Sequence, residues 1–96
     1  MTRYQQIAEY MNVRCKDRQF TALDVGIINQ GVRLYQISKP KNLPRTRKNF
    51  DMNNQKVSQS LDSKYTPEHI KIYKKCVHLE YEYRTGRSAN GWRRKG

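Results

Sequence analysis

Twenty lysines and arginines against eight aspartates and glutamates give this 96-residue chain a formal charge of +12. That length allows one small domain (residues 1–96), and at 35% hydrophobic residues, seven tyrosines included, its core must be thin. No apolar run is long enough for a bilayer, and two cysteines without CxxC spacing exclude a disulfide scaffold, so a cytoplasmic or nuclear setting is expected.

The first helix is predicted to start at Thr2, which with Gln5 has capping-box spacing. Tyr4, Ile7, Ala8 and Met11 then recur at i, i+3, i+4 and i+7 and form one inward stripe. The polar run over residues 12–19 ends it. A second helix opens at Thr21, with Asp24 reaching back as the box partner and Phe20 stapled onto Val25. Its inner face is assigned to Leu23, Ile27 and Ile28, with Gly26 allowing a close neighbour and Gly31 as a left-handed stop. Residues 32–38 (VRLYQIS) are rich in β-formers and read as a short strand, with continuation of the second helix as the competing reading.

Residues 39–50 (KPKNLPRTRKNF) hold two prolines and five basic residues and are expected to be a basic loop. A third helix is placed from about 51–53 to 63, with Val57 and Leu61 inward and Asn54, Gln55, Lys56, Ser58, Gln59 and Ser60 outward. Thr66, Pro67 and Glu68 mark another start, for a short helix anchored by Ile70 and Tyr73 (or Ile72) and ending near Lys75. From Cys76 the alternation of Val77, Leu79, Tyr81 and Tyr83 with His78, Glu80 and Glu82 reads as a strand. Gly86 and Gly91 bracket a turn, and Trp92 opens a returning strand, which makes a hairpin over residues 76–95.

Charge is concentrated in two blocks. Residues 39–60 carry six bases and one acid, and residues 84–96 carry five bases and no acid, whereas residues 61–83 are neutral. Such blocks point to a polyanion, with nucleic acid as the default partner.

The order of these elements resembles the winged-helix branch of the helix-turn-helix regulators. FTALDVGII looks like the supporting helix, NNQKVSQSLDSK like the recognition helix and CVHLEYEYRTGRSANGWRRK like the wing. The stretch between Gly31 and Asn53 is much longer than the usual turn between the two helices. The resemblance implies an α+β fold with a C-terminal β-hairpin and a non-catalytic, double-stranded-DNA-binding regulator of the kind a phage or mobile element carries. Asn54, Gln55 and Gln59 would then meet base edges, because Asn and Gln pair bidentately with adenine. Arg45, Arg47, Lys48, Lys56, Ser58, Arg87, Arg93, Arg94 and Lys95 would meet the DNA backbone.

Rival readings use some of the same residues. A basic, tyrosine-rich chain also suits a structural RNA-binding protein of the ribosomal type. A small ribonuclease would draw on His78, Tyr81, Tyr83, Arg84 and Arg87, although alternation splits His78 from the tyrosines. Cys15, His69, Cys76 and His78 fit no metal module by spacing, and no metal or other cofactor is expected. A homodimer and a protein partner are left open.

Overall fold

Four threonines start four helices. In the computed structural model, which describes residues 2–86, Thr2, Thr21, Thr46 and Thr66 are the N-caps of α1 (Arg3–Arg14), α2 (Ala22–Ser38), α3 (Arg47–Ser60) and α4 (Pro67–Thr85). Each cap hydroxyl accepts a backbone N–H three residues on, at 3.1 to 3.3 Å, and so satisfies one of the donors that a helix start leaves free. Thr2 with Gln5, Thr21 with Asp24 and Thr66 with His69 close the reciprocal box. α4 stops at Gly86, whose φ of 70° gives the left-handed C-terminal cap.

The helices bury one core. α1 supplies Ile7, Ala8 and Met11, α2 supplies Val25 and Ile28, α3 supplies Val57, and α4 supplies Ile70, Tyr73 and Cys76. Phe20 and Tyr65 enter from the connections on either side of α2 and α3. α1 packs on α2 and α4, and α3 packs on α4 and α2. With so few aliphatic side chains, polar contacts fix much of the geometry. Asn29 of α2 donates to the Tyr4 hydroxyl at 3.0 Å and accepts from the Tyr73 hydroxyl at 2.8 Å, which joins three helices. Glu80, 4% exposed, is held between Arg3 at 3.3 Å and Arg84 at 3.1 Å.

The α+β fold and the winged-helix resemblance are corrected: among the described residues there are four helices and no strand. Residues 76–85 continue α4, and residues 87–95 of the expected hairpin lie outside the described residues. The alternation over 77–83 is outweighed by a longer helical set, Ile70, Tyr73, Cys76 and Glu80, which faces inward while Tyr83 is 75% exposed. A strand here would also have no neighbour among the described residues to satisfy its backbone.

Residues 32–38 are likewise helix, the competing reading. Gly31 does not stop α2; it sits inside it, where a Cβ would come within 3.1 Å of Leu61. The missing side chain thus lets the end of α3 close on α2. At Gly26 a Cβ would meet Tyr4 at an ordinary 3.6 Å, so that position does not require glycine. The inner face of α2 is Val25 and Ile28, and Leu23 is 73% exposed rather than inward. α3 begins four to six residues earlier than expected, at Arg47, because Thr46 caps it and Asn49 donates to the Pro44 carbonyl at 2.8 Å. It also ends earlier, at Ser60.

The turn from α3 to α4 is tied on both sides. Asp62 and Ser63 take left-handed φ values of 57° and 58°. Tyr65, 1% exposed, accepts the Ser58 hydroxyl on its carbonyl and donates its own hydroxyl to Asp24 at 2.6 Å. Burial, then this bond to Asp24, push the Tyr65 phenol up to about 12. Tyr65→Phe keeps the ring and removes the link between the turn and α2. It is expected to cost about 1.5–3 kcal/mol in urea unfolding, as a hydrogen bond to a charged group does; an unchanged midpoint would show that the link carries no stability.

Candidate nucleic-acid interface

α3 turns one face to the core and one to water, and the division follows from its sequence. Val57 is fully buried, and the helix period places Asn53, Asn54 and Ser58 beside it at 8%, 3% and 4% exposure. Half a turn away lie Lys48, Met52, Gln55 and Gln59, spaced by four, three and four residues, so they fall on one crest. Lys48, Gln55, Lys56 and Gln59 are all exposed. Lys56 flanks the crest on one side. Arg47 flanks it on the other, 3.7 Å from Asp51, the one acid in the helix.

The inner amides hold a lysine. Lys74 of α4 donates from Nζ to Asn54 Oδ1 at 2.8 Å and Asn53 Oδ1 at 3.2 Å, with the Phe50 ring centroid 4.9 Å away. These are neutral acceptors, and Lys74 makes no ion pair among the described residues. Burial, then the positive charge of Lys39, push it down to about 8. Lys39 begins the basic connection that carries Lys41 and Arg45 into α3. The 39–60 block and Lys74 are therefore one cationic region with a single acidic side chain.

The expected site residues divide accordingly. Gln55, Gln59, Lys56, Arg45, Arg47 and Lys48 are exposed on or beside α3. Asn54 cannot reach a base edge, because it is buried and its carbonyl oxygen binds Lys74. Ser58 cannot meet phosphate, because it is buried and its hydroxyl donates to the Tyr65 carbonyl. Arg87, Arg93, Arg94 and Lys95 lie outside the described residues. Lys74 was not foreseen: its segment was read as helix, but its partners, Asn53 and Asn54, lie on another helix and were not read as its acceptors.

The other candidate sets fare differently. His78, Tyr81, Tyr83 and Arg84 are on one helix rather than a sheet, and five residues of helix turn His78 and Tyr83 well away from each other. Arg84 is engaged with Glu80. Cys15 and His69 do meet, around Asp17: the thiol donates to Oδ1 at 2.6 Å, and His69 Nε2 lies 3.3 Å from Oδ2. The three ligand atoms fall within 4.8 Å of one another, close enough for a metal ion. The proton inventory argues otherwise. His69 Nδ1 accepts the Thr66 backbone N–H, so the ring proton sits on Nε2 and points at Asp17. A metal on Nε2 would move that proton to Nδ1, against another donor, and ligating histidines want an acceptor there. Burial, then the bond to Asp17, raise the Cys15 thiol, which favours its protonated form. This is a satisfied hydrogen-bond cluster that fastens the 15–21 connection to α4.

The chain matches no protein-family model, and comparison with curated proteins and with solved structures likewise gives no match. No helix among the described residues is long and apolar enough to cross a membrane.

Lys74 has a pH signature. Its value is about 8 in the fold against 10.5 ordinarily, so between these the unfolded chain binds more protons and stability rises with pH. Below pH 8 both states are protonated and the dependence vanishes. Cys76, raised by burial to about 11 from 9.0, pulls the opposite way above pH 9, so the comparison must be with Lys74→Met. Urea unfolding from pH 7 to 10 should show the wild type gaining on the variant as pH rises past 8. Parallel pH curves would mean that Lys74 is solvated.

Proposed function

We propose that this chain binds double-stranded DNA, without catalysis, by laying the outward crest of α3 in the major groove. The observation that carries the reading is that crest: two carboxamides four residues apart, Gln55 and Gln59, with Lys48 in line and cations on both flanks. A helix fits the roughly 12 Å major groove, and glutamine pairs bidentately with adenine. α3, about 21 Å long from its 14 residues, is long enough to lie across it.

The rest of the region supplies charge. Arg45, Arg47, Lys48 and Lys56 are exposed and suited to phosphate, which positions the helix without reading sequence. Lys74, held by neutral amides beside Lys39, adds to the positive field that a polyanion meets. Specificity is then expected from Gln55 and Gln59 alone, and so to be modest. A regulator of transcription or of another DNA transaction would work in this way.

Competition among duplex DNA, single strands and structured RNA at matched salt tests the class of partner. Duplex should win, and log affinity should fall against log salt with a slope of roughly −5 to −7 for six to eight phosphates neutralised. Lys48→Ala or Arg47→Ala should weaken binding to all sequences alike and flatten the slope by about 0.9 each. Gln55→Ala should relax sequence preference by roughly 1–3 kcal/mol at one base pair. Preference for RNA would replace this reading with a structural RNA-binding one, and RNA cleavage lost on His78→Ala would establish an enzyme.

A further inference from the structure

α2 carries a second apolar stripe that the core does not use. Val25 and Ile28 face inward, while Leu23, Ile27, Gln30, Leu34 and Ile37 recur at spacings of four, three, four and three. At 3.6 residues per turn these five stay within a narrow band on the far side of the helix. Leu23 is 73% exposed, Leu34 56% and Ile37 77%; Ile27 is half-buried at the edge of the core. Single exposed aliphatic residues need no explanation, but an a/d seam along a 17-residue helix does.

We infer that this seam pairs with the same seam of a second copy of the chain. Charge selects the occupant. Residues 22–38 contain one acid, Asp24, and one base, Arg33, in a chain of net +12. Two bodies of that charge repel least where neither presents an excess of cations, and of the four described helices α2 alone has no net charge. An acidic partner would be drawn instead to residues 39–60, which carry the excess charge. Gln30, the one polar position of the seam, has both an amide donor and an acceptor and can bond its own kind, as a polar residue inside a coiled-coil seam does when it sets the register.

The contact is small. A helix of this length is about 25 Å long, and one helix pair covers less than the roughly 800 Å² per partner of a standard stable interface. The dimer is therefore weak when free, and neighbouring sites on one polyanion would strengthen it by effective concentration. Because the seam is apolar and the chains repel, added salt strengthens self-association, the opposite of its effect on nucleic-acid binding.

Sedimentation equilibrium of the full chain without nucleic acid tests this independently of the DNA reading. Between about 10 µM and 1 mM protein, the mass should climb from 11.5 kDa toward twice that value, and further in roughly 0.5 M than 0.1 M salt. The double variant Leu34→Glu/Ile37→Glu should stay at the single-chain mass, with helical circular dichroism unchanged because both positions are exposed. Leu34→Ala/Ile37→Ala, which adds no charge, should weaken association about tenfold or more. A wild type that stays monomeric throughout, or variants that associate as it does, would overturn the inference.

Discussion

The orientation of α3 depends on one contact, the ammonium of Lys74 set against the carbonyl oxygens of Asn53 and Asn54. A lysine at the edge of a small core must find acceptors, and α3 offers two neutral ones on the face that also carries Val57. Turning α3 about its axis would strand that charge and pull Val57 from the core. The helix is thus fixed with its asparagines inward and its glutamines outward. Carboxylates in place of the asparagines would bind Lys74 more tightly, but they would also cancel part of the positive field that a polyanion meets.

The same economy runs through the rest of the fold. Among the described residues twelve buried hydrophobic side chains, three of them aromatic, make a modest core, so polar links fix the joints. Asn29 ties three helices, Tyr65 ties the turn to α2, and Asp17 accepts hydrogen bonds from Cys15 and His69. None of these links involves the outward crest of α3 or the outer seam of α2. One face is left polar and cationic, the other apolar and uncharged, and no carboxylate but Asp51 interrupts the first.

Helix starts were legible because a cap is a local event. Thr2 with Gln5, Thr21 with Asp24 and Thr66 with Pro67 state their chemistry within four residues, and each is where the structure has it. The helical stripe of α1 was legible for the same reason. The fate of residues 76–85 was not. Their tyrosines and valine favour strands and alternate, yet the choice is made by Cys76 and Glu80 docking beside Tyr73, contacts that come from distant α1 as well as from within α4. Gly31 misled because a stop and a close approach both call for a missing side chain, and only the position of Leu61 separates them.

Of the candidate site, the exposed cations and glutamines could be read directly, since no burial claims them and the one carboxylate partner, Asp51 for Arg47, is local to the helix. Asn54 and Ser58 could not, because burial of a polar residue depends on a partner elsewhere in the chain: Lys74 for one and the Tyr65 carbonyl for the other. Titrating duplex DNA into the isotopically labelled chain and following side-chain amide signals by NMR tests the central claim most directly. The Gln55 and Gln59 signals should shift while those of Asn53 and Asn54 stay in place; the reverse pattern, or no change at any of the four, would contradict it.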